Sequence, residues 1–214
     1  MFPLAKTINS FTEAKLIKFI IFDILIVIVI ISGFTYFMVS LSDSINISIA
    51  WVQSVVNFLT GTFALIIGWF ILPILMPLIA GIFGEMVIER VEKRYYPSSN
   101  LRNGRFWPDI IHDIKFTLFS LLLNILIIPF YFIGIGFIMS IALNSYLIGR
   151  EFFESAAGYH LGKPEASKFR KKHSSKVYLA GLILTLIALI PIVNLILPII
   201  AIVWMVHLYH EIKK

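Results

Sequence analysis

The chain has 214 residues, 59% of them apolar and only 14% charged, against about 25% charged in an ordinary soluble domain, and its mean hydropathy is +0.92. That composition excludes a soluble globular protein, and no polar stretch is long enough to bury a second core of its own. Cysteine is absent, which excludes disulfides, thiolate catalysis and cysteine-ligated metals.

The charges orient the chain. Lys and Arg fall in the N-terminal segment (Lys6, Lys15, Lys18), in 90–115, in 150–176 and at Lys213 and Lys214, and none falls in 41–54. By the positive-inside rule both termini and both basic loops are expected in the cytoplasm, with 42–54 outside. The net charge of +6 then describes one face, suited to topogenesis and to anionic lipid head groups. Nucleic acid is not an expected partner, because no stacking aromatics interleave with the basic residues.

In chain order, 16–39 is a first span of roughly 36 Å at 1.5 Å per residue. Its apolar run continues past Lys18 without a small-residue cleavage site, so a retained helix is expected rather than a signal peptide. Asp23 lies one to two turns inside this span, either as an interfacial acid sharing a hydrated entrance with Lys18 or as a pathway residue. The second span covers 55–83. Gly61 and Gly68 permit close helix approach, and Pro73 and Pro77 are expected to bend it. These two are expected to be the only segments able to cross without difficulty.

An amphipathic helix follows at 85–96, with Met86, Val87, Val91 and Tyr95 on its apolar side and a Glu89–Lys93 attraction at i,i+4. Pro97-Ser98-Ser99-Asn100 breaks it, and a connection through Gly104 leads to Phe106 and Trp107, which suit an interface. Asp109, His112 and Asp113 share a helix face, a spacing explained by capping and dipole matching after Pro108 or by a metal.

The remaining apolar runs, 116–148 and 177–209, are each interrupted in the middle. Pro129, Gly134 and Gly136 divide the first into arms 116–128 and 135–148, while Pro191, Asn194 and Pro198 divide the second into arms 177–190 and 195–206. Arms of roughly 20 Å fall short of a hydrocarbon core of about 30 Å. Both runs begin and end beside basic loops, so each is predicted to be a hairpin that enters and leaves from the cytoplasmic side. The returning arms, starting near Gly134–Gly136 and near Asn194, would aim helix N-termini into the membrane, a recurrent way of holding an anion. Asn124, Asn144 and Asn194 belong to that pathway or serve as interhelical hydrogen-bond donors. Arg150, beside Glu151 and Glu154, either snorkels at the interface or attracts an anion. Arg170, Lys171, Lys172 and Lys176 form the densest basic face, suited to lipid. His207 and His210 stand one turn apart with Glu211 adjacent, but zinc needs a third ligand and none is evident, so no metal and no cofactor are expected. No catalytic motif is present, and an enzyme is not expected.

Four blocks, NSYLIGREFFE (144–154), RKKHSSKVYLAG (170–181), IPIVNLILPI (190–199) and MVHLYH (205–210), with ERVEKRYYP (89–97) before them, resemble the bacterial CysZ-like membrane proteins of the etoposide-induced-protein superfamily. The resemblance implies an all-α integral membrane protein, a single membrane domain over 1–214 with two long transmembrane helices and two hemi-penetrating hairpins, assembled as a homo-oligomer. It further implies an inner-membrane permease or channel for a small inorganic anion, sulfate first, by passive or facilitated movement. The alternative is a non-conducting scaffold or lipid-interacting protein. Sulfate-handling members carry a Gly-Leu-Arg type stretch near the first span, where this chain reads TEAKLIKF (12–19). Lys15 and Lys18 supply charge there without a guanidinium fork, and no binding residue carries over.

Overall fold

A computed structural model describes residues 3–45, 47–97, 106–194 and 196–213, without the side chains of 69–82, 106–110, 191 and 192. The expected breaker at 98–100, the Gly104 connection, the bends at Pro73 and Pro77 and the roles of Phe106, Trp107 and Asp109 lie outside that description. All regular structure among the described residues is helical: α1 (Leu4–Glu13), α2 (Ile17–Asp43), α3 (Ala50–Tyr95), α4 (Phe106–Phe132), α5 (Gly136–Leu161), α6 (Lys163–Lys172), α7 (Ser174–Ala188), α8 (Pro191–Asn194) and α9 (Leu197–Lys213). The chain forms two compact units, one of Lys18–Ile82 and one of Met1–Ile17 with Phe83–Lys214.

The Lys18–Ile82 unit is an antiparallel helix pair. Gly68 faces Ile31 and Gly61 faces Val39, so the missing side chains let the two helices approach, as small residues do in lipid. Gln53 ties the turn: its Oε1 accepts from the Ile47 N–H at 2.9 Å and its Nε2 donates to the Ser42 carbonyl at 3.2 Å. Phe22, Val29, Tyr36, Phe58 and Phe63 are exposed. Apolar side chains in such a band cover no core and suit contact with lipid or another chain.

The larger unit is built around α9. Every residue from Leu197 to Tyr209 except Ile200 is buried, the state expected of a helix that is apolar all round. α1, α5 and α7 pack on it. The tightest crossing is that of α5 with α7. A Cβ on Gly181 would overlap the Ser145 carbonyl oxygen, and one on Gly149 would stand 2.8 Å from the Val177 carbonyl. Ser145/Gly149 and Val177/Gly181 are i,i+4 pairs, so one small-residue stripe on each helix brings the backbones into contact.

Helix boundaries differ from expectation in the first hairpin. Pro129 does not end α4, which runs through it to Phe132. It stands in the last turn, so its missing N–H removes a single hydrogen bond that two neighbouring turns tolerate. The chain reverses at Gly134, φ +81°, and a Cβ on Gly136 would meet Tyr131 Cγ at 2.5 Å. α4 is therefore longer than the 116–128 arm. Three stretches, Ile17–Asp43, Ala50–Gly68 and Ile111–Phe132, are long and apolar enough to cross a membrane, one more than the two expected. α7 and α9 have 15 and 17 residues, close to the predicted short arms, with α9 continuing to Lys213.

The amphipathic register at the end of α3 also shifts. Val87 and Val91 are buried as expected, but Met86 is exposed and Ile88 and Glu92 join the buried side. Glu89 and Lys93 form the predicted ion pair.

Candidate functional site

The four-residue spacing on α5 puts Arg150 and Glu154 on one face, one turn apart. α6 begins after Gly162, whose φ of +79° allows the sharp reversal, and brings Arg170 back onto the same carboxylate. Arg170 Nε donates to Glu154 Oε1 at 2.8 Å, Arg150 Nε approaches Glu154 at 3.4 Å, and His112 Nε2 of α4 lies 2.7 Å from Oε2. The side chains of Glu154 and Arg170 are only 5% and 7% exposed. Burial by itself would raise the Glu154 carboxyl; the hydrogen bonds from His112, Arg170 and Ser167 and the Arg150 charge outweigh it and hold the group below the usual carboxylate range.

Both arginines reach Glu154 through Nε. Among the described residues their terminal amino groups form no hydrogen bond. Aromatic rings fix the guanidinium planes instead: Phe116 lies 4.3 Å from Arg150 Cζ and Tyr146 5.6 Å from Arg170 Cζ, contacts worth about 0.5–2 kcal/mol depending on exposure. Two cations against one carboxylate leave the group with an excess positive charge.

That charge borders a cavity of about 550 Å³ lined by Tyr146, Arg150, Arg170, Ser174, Ser175 and Tyr178, among others. Ser174 and Ser175 open α7, and His173 before them makes no side-chain cap. The first-turn N–H groups of α7 therefore keep their donors and the positive end of the helix dipole. Guanidinium forks, hydroxyls and a helix N-terminus around one cavity form a donor-rich lining suited to an oxyanion. The volume is many times the roughly 30 Å³ that a water occupies, so an anion would enter with water.

Of the residues singled out from sequence, Arg150 is at this site and Arg170 joins it. Arg170, expected on the lipid-facing basic face, is instead buried against Glu154, while Lys171, Lys172 and Lys176 are exposed. None of the three asparagines lines the cavity. Asn124 Nδ2 donates to the Ser120 carbonyl at 2.8 Å and Asn144 Nδ2 to Ser140 Oγ at 3.2 Å, each within its own helix; Asn194 closes α8, its N–H donating to the Ile190 carbonyl at 2.9 Å. The N-terminus of α5 at Gly136 sits among exposed Phe132, Ile133, Phe137 and Ile138, with no charged group on the neighbouring turns. Lys15 is exposed at a left-handed turn, φ 55°, and Lys18 is exposed with its Nζ 5.2 Å from the Phe19 ring. Asp23 is buried, and neither carboxylate oxygen has a hydrogen-bond partner among the described residues. Such a group in an apolar span marks a functional candidate. His112 and Asp113, considered together as ligands, diverge: His112 goes to Glu154 and Asp113 pairs with Lys163.

Sequence reasoning placed Glu154 beside Arg150, and the pair forms, but it missed His112 as part of the site and Ser174 and Ser175 as its hydroxyls. The i,i+4 spacing of Arg150 and Glu154 was visible, but nothing in the residue order says that α4 and α6 converge on that carboxylate.

Residues 4–198, nearly the whole chain, match the family described as "Sulfate transporter CysZ/Etoposide-induced protein 2.4". Neither a curated protein nor a solved structure matches the chain.

Proposed function

The chain belongs to the sulfate transporter CysZ/etoposide-induced protein 2.4 family, and from that membership and the Arg150–Arg170 cavity we propose that it is a membrane permease or channel for a small inorganic anion, sulfate first. The observation that carries this reading is the pair of guanidiniums, Arg170 buried and Arg150 half-buried, sharing one carboxylate beside the N-terminus of α7. The stretch 12–19 lacks arginine, and here two guanidinium forks stand in one place. Movement is passive or facilitated, since no nucleotide-binding signature accompanies the helices.

In this reading the protein lies in a bacterial inner membrane with both termini and the cavity on the cytoplasmic side. α2 and the first part of α3 span, while α4–α5 and α7–α9 are re-entrant pairs whose apolar tips are covered by neighbouring copies in a homo-oligomer. In this reading the protein catalyses no reaction. Exposed Lys171, Lys172 and Lys176 beside Arg170 favour a second reading, a non-conducting protein that holds anionic lipid head groups.

Sulfate binding tests the proposal. In detergent, sulfate is expected to raise the melting temperature above that in chloride of equal ionic strength, the stabilisation reaching about 2.7 kcal/mol at a hundredfold excess over Kd. Arg150→Gln should weaken sulfate binding at least about tenfold, as loss of a charged hydrogen-bond donor does, which cuts the stabilisation at the same sulfate concentration to about half, and Lys171→Gln should leave it unchanged. Equal stabilisation by sulfate and chloride would reject the site.

A further inference from the structure

A second polar cluster lies away from the cavity. Glu92 of α3, His160 of α5 and His210 of α9 point their ligand atoms at one another. His160 Nε2 is 2.8 Å from Glu92 Oε1, and His210 Nε2 is 2.8 Å and 2.9 Å from the two carboxylate oxygens. One ligand atom from each residue falls within a common 4.8 Å. Glu92 and His160 are buried and His210 is half-buried.

Both imidazoles are held by stacking. Tyr209 lies against His160 at 5.2 Å and 13°, and Tyr96 against His210 at 3.7 Å and 10°. Their Nε2 atoms are thereby aimed at the carboxylate without help from a ligand. His207, which the sequence pairs with His210, is engaged elsewhere: its Nε2 contacts Ser10 Oγ and its Nδ1 contacts Tyr96 Oη, each at 2.8 Å. The two partners of His210, not evident in the residue order, are supplied by α3 and α5.

We propose that Glu92, His160 and His210 form a binding site for a divalent transition-metal ion of the zinc type, which staples α3, α5 and α9 together. Two imidazoles and one carboxylate are a recurrent zinc donor set, with the fourth position left to water. Zinc bonds of about 2.0–2.2 Å place tetrahedral ligand atoms roughly 3.4 Å apart, so each Glu92–His contact need open by only about half an ångström from its hydrogen-bonded 2.8 Å, and the three ligand atoms already lie within 4.8 Å of one another. The carboxylate offsets one of the two metal charges. Each imidazole must present Nε2 as a lone pair, so any proton held there moves to Nδ1 or leaves to solvent, and binding strengthens with rising pH. The site stands independently of the anion cavity.

The test uses the full chain in detergent, stripped with a chelator and then loaded with Zn²⁺ or Co²⁺. Retention of about one zinc per chain after gel filtration, a higher melting temperature and visible d–d absorption from Co²⁺ are expected. Glu92→Gln and His210→Gln should each weaken zinc binding tenfold or more, since even outer-shell losses cost about 10–100-fold. His207→Gln should retain the metal. If the wild-type protein holds no zinc and gives no Co²⁺ band, or if both ligand variants bind as the wild type does, the cluster is only a hydrogen-bonded triad and the proposal is overturned. The wild-type Co²⁺ spectrum decides this even where a variant fails to fold.

Discussion

Gly181→Leu is expected to abolish the folded protein. The Cβ alone would occupy the place of the Ser145 carbonyl oxygen, and Gly149 Cα stands 2.9 Å from the same point. The obstacle is backbone, which cannot rotate away as a side chain can. α5 and α7 would have to separate along the crossing that buries Leu184, Ala180 and Val177. Overpacking a core ordinarily costs about 1–3 kcal/mol where side chains can shift, and here they cannot. Gly181→Ala should already lower the melting temperature by several degrees, and Gly181→Leu should leave no monodisperse peak in gel filtration. Gly33→Ala is the control, because nothing lies within 4 Å of its added Cβ. A Gly181→Leu protein that melts like the wild type would refute the α5–α7 packing.

The second large effect belongs to Glu154. Replacing it with Ala leaves buried Arg170 and half-buried Arg150 without their shared counter-charge, and removing one partner of a buried pair such as Arg170–Glu154 costs about 3–5 kcal/mol. The same linkage sets a pH dependence. The Glu154 carboxyl is held below its ordinary value of 4.5, so the unfolded chain takes up the proton first. Its contribution is complete above pH 4.5 and disappears as pH falls through the depressed folded value. Denaturation at stepwise lower pH should show this loss in the wild type and not in Glu154→Gln. The Gln variant has a further use: with two guanidiniums left facing each other, sulfate should restore more stability to it than to the wild type. An acid profile identical in wild type and Glu154→Gln would show that the carboxylate is not the group responsible.

These expectations came from different depths of the sequence. Helical class, membrane character, the short helices α7 and α9 and the Glu89–Lys93 contact follow from local periodicity and charge, which depend on neighbours within a turn or two. The reach of α4 did not, because Pro129 reads as a breaker until its position in the last turn is known; the true reversal needed Gly134 at positive φ. Glu92 was hidden for a similar reason. It lies beside Val91 and four residues after Ile88, on the stripe that turns inward, yet an acid on an apolar stripe reads as a boundary until His160 and His210 are seen to meet it. Arg170 belongs to a run of basic residues whose other members are exposed, and only the fold of α6 against α5 separates it from them. Convergence of distant helices on one carboxylate is a tertiary fact that spacing within one helix does not carry.

The flux of radiolabelled sulfate into proteoliposomes tests the central claim most directly. Vesicles holding the wild-type protein should fill faster than empty vesicles, and Arg150→Gln should return the rate toward that of the empty ones while Lys171→Gln does not. Wild-type flux no greater than that of protein-free vesicles, with the protein folded and inserted, would contradict the permease reading.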